Sequence, residues 1–214
     1  MLSNVFLGVS TVGAEWVLYL LLGLSIFSIA LIFERASFFN RQLRGADVFR
    51  QDLRNLIDQG DWDRALKSCS EQTRFEQPMV EALLGWWKRG KGSNNGETLE
   101  RIASDAILRT RKSWEKNLSL LATIGSNAPF IGLFGTVLGI VRAFKDLSVQ
   151  AEGAAGTVTA GLSEALVATG VGIFVAIPAV IAFNVFQTKV RGALTEAEAL
   201  QNFMIARLLS RSES

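Results

Sequence analysis

The chain has 214 residues and not one histidine. That absence removes imidazole metal sites, Ser-His-Asp triads and imidazole proton shuttles, so any proton path must use carboxylates, hydroxyls and water. Cys69 stands alone, which rules out an intrachain disulfide and leaves no sign of a disulfide-stapled secreted fold. With only three prolines, long stretches are free of helix breakers. A large excess of one charge is also missing. The 22 Lys and Arg against 20 Asp and Glu leave +2, too little to argue for nucleic acid as a partner. Where the charges lie says more. Residues 34–116 hold 16 of the 22 basic side chains, and Met1–Glu15 holds none.

What is present is apolar. Nearly half the residues are hydrophobic, and three uncharged runs stand out: Trp16–Phe33, Asn117–Val141 and Ala165–Thr188. The first just spans a hydrocarbon core of about 30 Å at about 1.5 Å per residue, and the other two exceed the roughly 20 residues a crossing needs. The first run has no basic residue before it and no clean small-x-small site after it, so it reads as a retained helix and not a signal peptide. The fold class is therefore an all-α integral membrane protein, with three transmembrane helices and long helices extending into a cytoplasmic helical bundle.

The basic segment between the first and second spans sets the orientation by the positive-inside rule. Residues 1–15 form an outer N-terminal segment and 16–36 the first transmembrane helix. Residues 37–116 form a cytoplasmic helical domain. Residues 117–187 are a transmembrane hairpin with a short periplasmic loop at about 145–161, and 188–214 a cytoplasmic C-terminal helix.

Within the cytoplasmic segment, Val48, Leu53, Leu56 and Ile57 make one amphipathic face, which Gly60 ends. Asp61 is placed to cap a helix over Trp62–Ser70. Gln77–Lys88 presents Val80, Leu83, Leu84 and Trp87. The run Gly90–Gly96 is a break. From Glu97 the pattern of Leu99, Ile102, Ala103, Ala106 and Ile107 meets no breaker, which predicts one helix to about Phe144, roughly 70 Å long. The third span is expected to run on through Leu194 and Ala197 to Leu208. Paired Trp86-Trp87 reads as core or as an amphipathic membrane contact, and the Arg and Lys of this segment as orientation signal and solvated face.

Small residues mark the hairpin. Gly125, Ala128, Gly132, Gly135, Thr136, Gly139 and Ala143 recur every three or four positions, a stripe on one helix face. Gly161, Ala165, Ala168, Thr169, Gly172, Ala176 and Ala179 form a second. Such stripes serve helices that pack closely or line a shared cavity, which points to an oligomeric assembly. Gly135-x-x-x-Gly139 has the spacing of a close-packing motif. Pro129 and Pro178 lie inside the spans and permit kinks; Ser126 and Asn127 stand near enough to satisfy carbonyls freed at the first.

Two long motifs carry a resemblance. The run Leu121-Ala-Thr-Ile-Gly-Ser-Asn-Ala-Pro-Phe-Ile-Gly-Leu-Phe-Gly-Thr-Val-Leu-Gly-Ile140 resembles the second-span signature of the MotA/TolQ/ExbB proton-channel family. The run Gly161-Leu-Ser-Glu-Ala-Leu-Val-Ala-Thr-Gly-Val-Gly-Ile-Phe-Val-Ala-Ile-Pro-Ala-Val180 is similar to its third-span signature. Three spans, with no fourth apolar run, match the TolQ/ExbB branch. The resemblance implies an inner-membrane protein with its N-terminus periplasmic and its C-terminus cytoplasmic. It implies a homo-oligomer, a pentamer, around a dimer of a single-span ExbD/TolR-like protein whose transmembrane Asp carries the proton. Through that partner the chain would act on a periplasmic or outer-membrane effector. It implies no covalent catalysis, cofactor or metal. Thr136, Thr169 and Glu164 match the family's pathway positions. The energised process stays open between outer-membrane transport, envelope maintenance and gliding motility. A non-conducting structural scaffold oligomer is the competing class.

Folded as a hairpin, Thr136 and Thr169 come to about the same depth, roughly 10–12 Å below the outer mouth. Either threonine could instead bond its own i−4 carbonyl and only pack. Glu164 has no Lys or Arg within four residues; it reads equally as a pathway acid or as an acid at the headgroups favoured by a helix N-terminus. Five positions separate Glu164 from Thr169, hence about 140° around a straight helix, so the two need not face one lumen. Asp146, Glu152 and Glu164 are the only acids from the second span through the third. No carboxylate lies deep in either span, so the titrating group belongs to a partner.

Overall fold

The computed structural model describes residues 15–70, 74–89, 96–149 and 154–212. The expected outer segment up to residue 14 and most of the break at 90–96 lie outside them. Every regular element among the described residues is helical: α1 (Glu15–Leu43), α2 (Ala46–Gln59), α3 (Trp62–Ser70), α4 (Gln77–Lys88), α5 (Gly96–Trp114), α6 (Leu118–Val149) and α7 (Ala154–Ser212). Three helices, α1, α6 and α7, are long and apolar enough to cross a membrane.

Helix α1 outruns its apolar stretch, because no breaker intervenes before Gly45, which takes a left-handed φ of 70°. The hairpin connection is shorter than expected: α6 reaches Val149 and α7 starts at Ala154. The third-span helix is continuous for 59 residues. By contrast, the single helix expected from Glu97 to Phe144 is two helices. Residues 115–117 form a turn in which Asn117 has φ 66°, and Asn is among the few non-glycine residues that adopt this conformation readily.

The chain divides into two compact units. The hairpin unit comprises the described residues up to Glu34 with Asn117–Val185, and the second unit comprises Arg35–Lys116 with Phe186–Ser214. In the hairpin unit, Val17, Leu21, Ile124, Ala128, Leu138, Val175, Ala176 and Ala179 form the buried cluster. Large apolar side chains point away from it, Tyr19 and Phe33 on α1, Phe130 on α6 and Phe174 on α7 among them. This inside-out distribution suits a lipid or protein environment and not water.

The second unit is built as a water-soluble bundle is built. Gly60 ends α2 in a Schellman arrangement: its N–H donates to the Ile57 carbonyl at 3.1 Å, and the Asp61 N–H to the Leu56 carbonyl at 2.9 Å. Asp61 then caps α3, accepting from the Arg64 N–H at 3.1 Å. The inward face of α2 is Ala46, Phe49, Leu53 and Ile57, while Val48 is exposed. Phe49 continues the four-residue spacing of Leu53 and Ile57, and Val48 lies about 100° off it. Trp114 meets Phe38, Phe39 and Phe75 edge-on at 5.5, 5.7 and 4.9 Å, and Phe39 stacks on Phe186 at 5.2 Å. Glu76, buried, accepts from Arg50 Nε at 2.5 Å. Along α7, the buried residues Phe186, Val190, Ala193, Ala197, Leu200 and Met204 follow the alternating four-and-three spacing of a packing seam, and Leu208 lies four positions further on. Trp86 and Trp87 are half-buried on α4.

Candidate functional site

The hairpin is closed by residues that have almost no side chain. A Cβ placed on Gly132 would stand 2.6 Å from the Ala168 carbonyl oxygen and 3.0 Å from the Thr169 Cα. One on Gly172 would stand 2.6 Å from the Ala128 carbonyl oxygen and 3.1 Å from the Gly132 Cα. The backbones of α6 and α7 therefore touch where Gly132 crosses Gly172. Toward the connection between α6 and α7 the seam continues: Gly135 faces Ala168 and Val17, and Gly139 faces Ala165 with only 2.6 Å available. On the other side of the crossing, Gly125 faces Val180. The two stripes are thus consumed against each other within one chain. Close approach of the two helices of one hairpin accounts for these small residues without a second copy of the chain.

This register places the predicted pathway residues. Gly135 and Ala168 touch, and Thr136 and Thr169 are the residues that follow them, so the threonines lie within about 3 Å of one level along the helix axes. Their hydroxyls differ. Thr136 is 7 % exposed and donates to the Leu133 carbonyl at 2.6 Å, the local bond that pure packing would also produce. The Thr169 hydroxyl is buried and has no hydrogen-bond partner. A buried polar atom in this state calls for an explanation, because leaving it unpaired costs about 1–3 kcal/mol.

Glu164 is exposed in the N-terminal part of α7, on the side of its connection with α6. It borders a cavity of about 240 Å³ with Glu15 of α1, Gly139, Arg142, Ala143 and Asp146 of α6, and Ala160 and Gly161 of α7. Arg142 reaches Glu15 at 3.9 Å. The cavity thus gathers three carboxylates and one guanidinium. Counting five residues from Glu164 to Thr169 and six from Thr136 to Arg142, these two charged groups stem from backbone about 7–9 Å from the threonine level, toward the connection between α6 and α7. Glu164 has no basic neighbour along the chain, yet the hairpin brings Arg142 to the same cavity. The small-residue pairing held the missing signal: Gly139 opposite Ala165 and Ala143 opposite Gly161 set Arg142 near Leu162.

Pro129 and Pro178 sit inside α6 and α7, which continue through both. The expected relief of carbonyls freed by Pro129 takes another form. Ser126 Oγ and Asn127 Nδ2 both donate to the Thr123 carbonyl, at 3.2 and 2.8 Å. The carbonyl that Pro129 leaves free belongs to Gly125, one or two residues before them, whereas short polar side chains bond back three or four residues.

Comparison with known proteins agrees with the motifs. A model of the MotA/TolQ/ExbB proton channel family matches residues 70–199. The chain is 31 % identical over 186 residues to the Tol-Pal system protein TolQ of Pseudomonas aeruginosa, covering 84 % of this chain and 80 % of that protein. It is 34 % identical over 199 residues to the Tol-Pal system protein TolQ of Haemophilus influenzae, covering 85 % and 82 %. Against the biopolymer transport protein ExbB of Neisseria meningitidis serogroup A it is 27 % identical over 206 residues, covering 92 % and 93 %. With three apolar helices of spanning length and both hairpin signatures inside the matched region, this chain is a multi-pass membrane protein that belongs to the MotA/TolQ/ExbB proton channel family.

Proposed function

We propose that this chain is the channel-wall subunit of an inner-membrane motor driven by the proton-motive force. Five copies surround a dimer of a single-span ExbD/TolR-like partner, with the N-terminus periplasmic and residues 34–116 and the tail cytoplasmic. Protons enter from the outer side and neutralise a carboxylate on the partner's helix. The neutral helix then passes the apolar wall and releases the proton inward. Each charge that crosses delivers about 2.3 kcal/mol per 100 mV. The mismatch between five subunits and two turns these events into stepwise rotation. The work drives outer-membrane transport, envelope maintenance or gliding.

The unpartnered Thr169 hydroxyl, level with Thr136, is the observation that carries this reading. In a helix selected only for packing, valine fills the same volume without the cost of an unpaired polar atom. A hydroxyl kept there can accept from or donate to water or a carboxylic acid arriving at that level. The test is Thr169→Val, with Thr136→Val beside it. Both variants should assemble and co-purify with the partner, while proton uptake into vesicles and work output collapse. Unchanged proton-dependent output in both variants would sink the assignment.

A second reading, a non-conducting scaffold oligomer, draws on the Thr136 bond to Leu133 and on a seam fully used within the chain. It predicts that both valine variants work normally, with Thr169→Val slightly more stable.

A further inference from the structure

The face of α6 that turns away from the hairpin seam changes character along its length. Gly125 and Gly132 face α7, and Ala128 between them is fully buried. About 180° around the helix lie Ser119, Thr123, Ser126 and Asn127, all exposed. From Phe130 to Val141 every exposed side chain of α6 is apolar, as is every one on α7 from Leu166 to Ile181. The polar face is therefore local, and it runs about 14 Å from Leu118 to Asn127. Its donors are turned back onto the helix. Thr123 donates to the Ser119 carbonyl at 2.8 Å and Ser126 to the Thr123 carbonyl at 3.2 Å. Asn127 Nδ2 donates to the Thr123 carbonyl at 2.8 Å and to Ser126 Oγ at 3.1 Å. What this face presents outward is acceptors, the amide oxygen of Asn127 first among them. Lipid offers them no donor, and the backbone N–H groups of a neighbouring spanning helix are consumed within that helix. Water supplies a donor at every position.

We propose that Ser119, Thr123, Ser126 and Asn127 line a water-filled vestibule that enters at the Leu118 end of α6 and stops at Phe130. The proposal deepens the preceding reading and rests on it in one respect, that the Leu118 end is the inner one. The vestibule is then where a proton released inward meets water. Asn127 lies nine residues, about 14 Å, before Thr136. The apolar face from Phe130 to Val137 separates the two polar levels and keeps the vestibule from becoming an open pore. A charge is costly on such a stretch and a neutral group is not, so only a protonated carrier passes it readily.

The test places single cysteines in the full chain, in inverted vesicles of its native membrane, and measures reaction with the membrane-impermeant cationic thiosulfonate MTSET. Wild type sets the blank, because its single cysteine, Cys69, is buried. Thr123→Cys, Ser126→Cys and Asn127→Cys should react at least about tenfold faster than Leu133→Cys and Val137→Cys, since only a hydrated thiol ionises readily. Ser126→Cys exchanges one atom and decides the matter if Asn127→Cys does not assemble. Equal rates along the face, fast or slow, overturn the proposal; uniformly slow reaction would mean that lipid or a packed helix covers the polar residues. Fast reaction of the first three in right-side-out vesicles alone would reverse the orientation in the preceding reading and keep the vestibule. The rates need no ion flux. A chain that carries no protons would therefore fail the preceding reading by itself, while labelling still decides whether water reaches Asn127.

Discussion

In the hairpin unit the tightest contacts are made by residues that present a hydrogen or a methyl group: Gly132 against Gly172, Gly135 against Ala168, Gly139 against Ala165. In the second unit the shortest ring contact joins Trp114 to Phe75 at 4.9 Å, and Trp114 also meets Phe38 and Phe39 edge-on. The chain thus uses side-chain size in opposite senses. Bringing apolar surface together in lipid gains little over lipid contact, so stability there comes from how closely backbones approach. In water the same burial gains roughly 25 cal/mol per Å², so the largest side chains go inside. The exposed residues invert accordingly, with large apolar groups outward in the hairpin unit and charged ones outward in α2 to α5.

Trp114→Ala should give the largest break in this comparison, removing about 3–5 kcal/mol from the second unit. Chemical denaturation followed by far-UV circular dichroism, alongside cysteine accessibility, checks it. Gly132→Ala should follow, at about 1–3 kcal/mol. Its new methyl group would meet the Ala168 carbonyl, which belongs to a backbone that can move only by separating the helices. Gly170→Ala, in the facing helix α7 with nothing within 4 Å, is the control for an added methyl group and should lose no stability. Equal losses from the two alanine variants would show that the seam is not set by close approach.

Cys69 sharpens the contrast because it reports on the second unit alone. Burial, reinforced by the nearby Glu81 and Glu76 carboxylates, pushes its thiol from 9.0 up to about 12. The folded thiol therefore holds its proton more tightly than the unfolded one. Its contribution to stability is complete below about pH 9 and falls between about pH 9 and 12, as the unfolded state releases the proton first. Alkylation by iodoacetamide at pH 8 should be very slow in the folded chain, faster in Trp114→Ala and unchanged in Gly132→Ala. The smallest effect is expected at Gly192, an exposed glycine inside α7 with nothing within 4 Å. Gly192→Ala should stabilise the helix by about 0.5–1 kcal/mol, read as a small rise in melting temperature.

Several features were legible locally. Gly60 and Asp61 announced a helix end and a helix start, and both caps form as their residue types require. The α4 face of Val80, Leu83 and Leu84 is buried as its spacing predicts. Errors arose where periodicity leaves a choice. Val48 and Phe49 are adjacent apolar residues, and only packing decided that Phe49 turns inward. Asn117 broke a helix that its flanking pattern would have continued, because asparagine tolerates both conformations and its context selects between them. The candidate site divides in the same way. Thr136, Thr169 and Glu164 stood out by motif, whereas Arg142 was visible only as a charge near the end of a span.

The sequence by itself determined the all-helical class, the three apolar runs, the small-residue stripes and the near-equal depth of the two threonines. These depend on composition and on helical periods of three or four residues, which a linear reading can count. Only the tertiary structure decided that the stripes close on each other, that the Thr169 hydroxyl lacks a partner while Thr136 has one, and that Arg142 joins Glu15, Asp146 and Glu164 around one cavity. Each of these depends on distances between residues on different helices. Such distances follow from how closely two backbones can approach, and the glycines that permit the approach do not name their partners.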